Sequence, residues 1–263
     1  MFIIGERING MFRGVRKAVE AKDEGVIQDL AAKQIEGGAD ALDINVGPVK
    51  GKAIDNMLWL IEAVQEATSA PLCIDTPKFE VMQEAVRACK NPTLMNSTKA
   101  TEEELERYVA LAVETNSKLI ALTIDASGVP SDTDSRVMMG ATIITKAMEG
   151  GMNVPDVFID PVILPVNVAP KQPVAVMEAI RQLKMFSDPP PKFVIGLSNV
   201  SQSCRETHII NRTYMVMAIA AGLDAAIVDS TDRELVEAAI TAELLLEEQI
   251  YCDDYVAAYM RSK

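Results

Sequence analysis

The stretch KFVIGLSNVSQS, residues 192–203, decides how the chain is read. Lys192-Phe193-Val194-Ile195 has the length and apolar density of a short buried strand. Gly196-Leu197-Ser198-Asn199-Val200 then carries it straight into small and amide residues. Such a strand leaves backbone and side-chain hydrogen-bonding groups at its C-terminal edge. In a barrel of alternating strands and helices, that edge is where ligands bind.

The same pattern recurs on both sides of this stretch. Apolar runs at 2–8, 41–46, 71–76, 93–98, 119–124, 157–161, 192–195 and 225–229 alternate with helical segments. The helical segments cover 15–35, 54–67, 79–89, 101–114, 136–149, 173–186, 211–221 and 233–248. Gly37-Gly38 reads as a C-cap, Thr101-Glu102-Glu103-Glu104 as a capping box, and Pro189-Pro190-Pro191 as a firm stop. Residues 251–263 read as one or two further helical turns. Eight strand–helix units of about 30 residues predict an α/β fold, a closed (β/α)8 TIM barrel in a single domain over 1–263. An open doubly wound sheet is the alternative, but it usually carries a Gly-rich turn after the first strand, and this chain has none there.

Composition narrows the function classes. The chain has 263 residues, 49% hydrophobic and only 5% aromatic, with 14 Met, so the core is mainly aliphatic. A net charge of −13 argues against a nucleic-acid or anionic-membrane surface, since both call for a basic patch. The opening residues MFIIGERING meet Glu6 too early for a signal peptide, and no apolar run reaches the length of a membrane span. A cytoplasmic protein is therefore expected, with Cys73, Cys89, Cys204 and Cys252 reduced.

Polar residues gather where the strands end: Glu6, Asp43 with Asn45, Asp75, Asn96, Asp160, Ser198 with Asn199, and Asp229. Any one of them could be a helix cap or a loop hydrogen bond, and for Glu6 and Asp229 that reading weighs as much as a functional one. A full ring of carboxylates and amides at this rim points to chemistry. Acceptors at Asp75 and Asp160, with amides at Asn96 and Asn199, suit a flat heterocycle rich in N–H donors, such as an aminopyrimidone. No phosphate loop accompanies the carboxylates, which disfavours Mg2+. The single histidine, His208, and the unpaired thiols disfavour zinc, so no metal is expected.

Six motifs carry a resemblance over the whole chain: GERING at 5–10, GGADALDINVG at 37–47, CIDT at 73–76, MNST at 95–98, IDPVILPVN at 159–167 and GLSNVSQ at 196–202. Together they resemble the pterin-binding methyltransferases that move a methyl group from 5-methyltetrahydrofolate to a corrinoid protein. The nearest likeness is to those serving a corrinoid/iron–sulfur protein in acetyl-CoA-forming anaerobes. The dihydropteroate synthases share the barrel, but their basic motif near the seventh strand is not apparent here.

The resemblance implies that Asp75, Asn96 and Asp160 hydrogen-bond the pterin ring, with Gly196, Ser198, Asn199 and Gln202 around its N5 edge. Arg205, in the loop SCRETH, would pair with the folate glutamate. Asn199 is the residue expected to stabilise N5 as the methyl leaves. Methyltetrahydrofolate is then the substrate and a partner protein carries the cobalamin, because no DxHxxG cobalamin segment is present. A homodimer is expected, although the segment 214–221 with Met215 and Met217 could equally be core. A folate-binding scaffold without turnover and a pterin-condensing synthase are the competing readings.

Overall fold

The computed structural model describes residues 1–48 and 52–247. Eight strands, β1 (Phe2–Asn9), β2 (Ala41–Asn45), β3 (Leu72–Asp75), β4 (Thr93–Lys99), β5 (Lys118–Leu122), β6 (Val157–Asp160), β7 (Lys192–Gly196) and β8 (Ala225–Val228), close into one barrel. Each pairs in parallel with its sequence neighbour, and β8 returns to β1 through Phe2 beside Ala225 and Ile4 beside Ile227. Around them lie α1 (Arg13–Ala21), α2 (Glu24–Glu36), α3 (Ala53–Ala67), α4 (Phe79–Ala88), α5 (Glu102–Thr115), α6 (Thr133–Glu149), α7 (Gln172–Leu183), α8 (Thr207–Ile219) and α9 (Arg233–Leu245). This is the (β/α)8 barrel that the sequence predicts.

The period-two alternation of strand side chains sorts the core into two layers. Ile3, Leu42, Ile44, Ile74, Met95, Ala121, Ile159 and Ile195 face outward against the helices in one continuous cluster. Ile4, Ala41, Cys73, Leu94, Ile120, Phe158, Val194 and Ala225 fill the barrel interior as a second cluster. Burying a side chain of Phe158's size contributes on the order of 1.5–3 kcal/mol. Two residues beyond each interior position come Glu6, Asp43, Asp75, Asn96, Leu122, Asp160, Gly196 and Ile227. The register sets Asp75 beside Asn96, Leu122 beside Asp160 and Gly196 beside Ile227. The alternation that packs the core thus also delivers the polar ring.

Several local expectations change. The segment 15–35 is two helices, because Lys22 takes a left-handed conformation (φ 54°) and the Asp23 carboxylate accepts from the Val26 N–H to start α2. Of the two glycines after α2, Gly37 remains right-handed and Gly38 supplies the positive φ of 99°. The Thr101 side chain makes no cap hydrogen bond, so the capping box does not form. Asp132 instead caps α6 through the Ser135 N–H at 2.8 Å, and that helix starts three residues earlier than expected. Tyr214 and Met215 pack into the core, while Met217 faces outward. The last described helix ends at Leu245, short of the expected 248, with Leu246 as its C-cap. Cys73, Cys89 and Cys204 are free thiols, and Cys252 and the 251–263 tail lie outside the described residues. No described helix is long and apolar enough to cross a membrane.

Candidate active site

A cavity of about 260 Å³ opens at the C-terminal mouth of the barrel. Its wall comes from Glu6, Asn9, Asp43, Asp75, Asn96 and Asn199, with further residues of β7 and β8 and of the loop after β1. Asp75 and Asn96 reach it from the ends of β3 and β4, and Gly196 from the end of β7. Beyond Gly196 the chain turns at once into a short 3-10 segment, Leu197–Ser201, whose Leu197 and Val200 are buried. That anchoring pushes Ser198 and Asn199 out over the mouth, where both are exposed.

Two linked networks order the acids. The Asn45 amide donates to Asp75 Oδ2 at 2.6 Å while its Oδ1 accepts from the Gly47 N–H at 2.6 Å. The Asn96 amide donates to Asp43 Oδ1 at 3.0 Å. Backbone packing fixes this corner. A Cβ on Gly10 would sit 2.0 Å from the Val46 carbonyl oxygen, and Gly10 N–H donates to the Asn45 carbonyl at 2.7 Å. Across the mouth, Ser198 Oγ donates to both Glu6 oxygens at 2.8 and 3.0 Å.

Burial raises the proton affinity of these groups, because the charged form loses hydration. It pushes Asp43 well above the usual carboxylate range, with the nearby Asp75 charge adding to the effect against the Asn96 amide. Asp75 is raised by burial, opposed by the Asn45 amide. Glu6 is raised by burial, against the Ser198 hydroxyl. The cup therefore resists accumulating negative charge until a ligand brings donors to it. The described residues contain no group of three or more His, Cys, Asp or Glu able to hold a metal.

Asn199 has the simplest surroundings. Its amide makes no hydrogen bond to another described residue, and a Cβ on Gly196 would come to 3.1 Å from its Nδ2. Glycine at 196 is what lets the amide lie back over the strand end. A neutral amide at a cavity wall with no protein partner can donate to a lone pair or accept from an N–H.

The structure therefore brings together Asp75, Asn96, Gly196, Ser198 and Asn199. Asp160 ends β6 on the same inward face, but neither β5 nor β6 contributes to this wall. Its carboxylate accepts from the Val162 N–H at 2.8 Å, and burial raises its pKa to about 7 despite that bond and the Arg136 charge. Gln202 and Arg205 are exposed beyond the 3-10 segment and do not line the cavity, and His208 is exposed beside Glu206. Asp229 accepts from the Thr231 N–H and hydroxyl and pairs with Arg7 at 3.6 Å, which is the structural alternative. Asn9, the last residue of β1, was not singled out in the sequence, and Met11 and Phe12 were not legible because they lie on the irregular link from β1 to α1. Arg7 over the Phe12 ring, 4.4 Å from its centre, fixes that link.

Known proteins resemble the chain in sequence and in fold. The chain is 29% identical over 268 residues to a methylcorrinoid:tetrahydrofolate methyltransferase of Eubacterium limosum, covering 100% of this chain and 97% of that protein. It is 25% identical over 244 residues to the methionine synthase of Mycobacterium tuberculosis, where it spans only 20% of the longer protein. Among solved structures, a Yersinia pestis dihydropteroate synthase bound to a pterin–sulfa conjugate superposes with a TM-score of 0.70 at 15% identity over 94% of both chains. The Thermus thermophilus dihydropteroate synthase gives 0.67 at 18% identity, covering 95% of this chain and 94% of that one. These two likenesses speak for the fold. The pterin binding enzyme family matches residues 15–229, most of the length of the chain, and the chain belongs to that family.

Proposed function

We propose that this protein moves a methyl group between N5 of tetrahydrofolate and the cobalt of a corrinoid carried by a partner protein. The observation that carries the reading is the free Asn199 amide held over Gly196, facing a cup of Asp75, Asn96 and Asp43. The pterin lies with its amine and ring N–H on Asp75 and Asp160 and with Asn96 alongside. Its N5 edge faces Gly196, Ser198 and Asn199, and Gln202 and Arg205 meet the more distal part of the folate. The full-length likeness to a methylcorrinoid:tetrahydrofolate methyltransferase supports the same chemistry.

In the direction from folate, cobalt(I) attacks the methyl carbon in line. The carbon–N5 bond breaks, its electron pair stays on N5, and N5 gains a proton. Asn199 cannot supply that proton, since an amide is not an acid at neutral pH. Its Oδ1 can accept from the N5–H that forms, an interaction stronger in the transition state than in the ground state, and only such a difference raises the rate. The proton comes from solvent through the open mouth, by way of Asp75 or Asp160. By microscopic reversibility the same site serves transfer from methylcorrinoid, the direction in the relative's name. Exposed Met11 and Phe12 beside the cavity offer apolar surface to a flat macrocycle arriving from outside.

The test is to mix the purified protein with 5-methyltetrahydrofolate and reduced cobalamin and follow the cobalt(I) absorbance. Its loss with formation of methylcobalamin supports the reading. Folate binding without transfer favours a scaffold, and condensation of a pterin pyrophosphate with p-aminobenzoate favours a synthase.

A further inference from the structure

Among the described residues, Arg136 is the largest side chain sealed from solvent, with 0% exposure. It stands in the first turn of α6, where a charged residue would ordinarily face water. Its Nε donates to the Pro161 carbonyl at 2.8 Å, and Nη1 donates to the Asp132 carbonyl at 3.0 Å. Nη2 donates to the Val162 carbonyl at 3.4 Å and to Gln172 Oε1. All four acceptors are neutral. The Asp132 and Asp160 carboxylates act on it only through space, and a buried cation with no carboxylate hydrogen-bonded to it is costly.

The carbonyls that it grips belong to one turn, the one that follows Asp160. Val162 there has φ 56°, a left-handed conformation that a β-branched residue resists. Only in that turn does the Val162 N–H face Asp160 Oδ1. Gln172 completes the clamp by donating to the Pro130 and Ser131 carbonyls, each at 3.3 Å, which ties the turn to the entry of α6. The charged or titratable groups around Asp160 are Arg136 itself and Tyr214 of α8, while Asp132 at the cap of α6 acts on Arg136. The Tyr214 hydroxyl is occupied in donating to the Pro173 carbonyl at 3.3 Å.

We propose that Arg136 is a positioning residue for folate recognition. It clamps the Pro161–Val162 turn, so that the Val162 N–H and the buried positive charge hold the Asp160 carboxylate aimed at the pterin edge. The inference rests on the reading of Asp160 as a pterin anchor. Arg136 touches no substrate and acts through Asp160 alone.

The experiment measures the dissociation constant of 5-methyltetrahydrofolate against pH for the parent, Arg136→Met, Arg136→Lys, Arg136→Lys with Val162→Gly, and Asp160→Ala. Arg136→Met is expected to weaken binding about tenfold or more and to move the midpoint of the pH profile upward, because the charge that favours the carboxylate is gone. Arg136→Lys keeps the charge but loses the planar fork, so binding weakens while the midpoint stays. Glycine adopts the left-handed turn unaided, so Val162→Gly in that background restores affinity. Should Arg136→Met fail to fold, the lysine pair decides. Parental affinity and midpoint in a folded Arg136 variant overturn the proposal, and so does a lysine variant that Val162→Gly does not rescue. Asp160→Ala separates the two layers of argument. If it binds as the parent does, the anchoring reading fails, whereas a weak Asp160→Ala beside unaffected Arg136 variants sinks only the clamp.

Discussion

Lowering the pH from 8 to 6 should weaken the binding of 5-methyltetrahydrofolate about tenfold, with Asp160 carrying the change. Burial holds the Asp160 carboxyl near pKa 7, far from the ordinary 3.8. Only its ionised form offers two acceptor oxygens to a paired amine and ring N–H. That form is about a tenth of the population at pH 6 and about nine-tenths at pH 8, so apparent affinity follows the same ratio, about 1.4 kcal/mol. Stability should run the other way. A carboxyl whose folded pKa exceeds its unfolded one binds more protons when folded, so stability contributed at low pH is lost as pH rises from about 4 through about 7. The displacement corresponds to at most about 4 kcal/mol, and less in practice because the side chain keeps some exposure at the rim. Calorimetric titration at pH 6, 7 and 8, with thermal melts of the free protein, measures both. Asp160→Asn should flatten the part of the binding profile that belongs to this residue, leaving whatever the ligand and the other acids contribute. Superimposable profiles for parent and Asp160→Asn would refute the argument.

Three further outcomes test the site and its frame. Asp75→Ala should weaken folate binding about tenfold or more while the fold survives, since ring donors and the Asn45 amide lose their acceptor; calorimetry gives the dissociation constant directly. Gly10→Ala should cost on the order of 2 kcal/mol or more in denaturant titration, because the new methyl meets backbone, not a yielding side chain. Asp132→Ala should cost about 1 kcal/mol by removing a formed helix cap, whereas Thr101→Ala should cost under about 0.5 kcal/mol because its hydroxyl caps nothing. Thermal melts of the two variants side by side check the contrast.

Much of the barrel was legible because each strand is a short apolar run between turn residues, and its period of two fixes which side chains face inward. That made Asp75, Asn96 and Gly196 readable as neighbours although they lie on separate strands. The break at Lys22 was harder to see, since the residues around it keep a helical spacing of apolar positions. Its signal was Asp23 ahead of Glu24 and Gly25, a cap that periodicity outweighed. Met11 and Phe12 escaped because an irregular link carries no period. Arg136 escaped for a different reason: an arginine in the first turn of an amphipathic helix reads as solvated, and only the fold of the turn after β6 reveals what it grips. Two cations nonetheless stand close to the ring, Arg136 behind Asp160 and Arg7 beside Asp229.

Asn199→Ala, compared with the parent in single-turnover methyl transfer from 5-methyltetrahydrofolate to cob(I)alamin, tests the central claim most directly. The account predicts a rate at least about tenfold lower, about 1.4 kcal/mol of barrier, with folate affinity nearly unchanged. A variant that transfers methyl at the parental rate would contradict it.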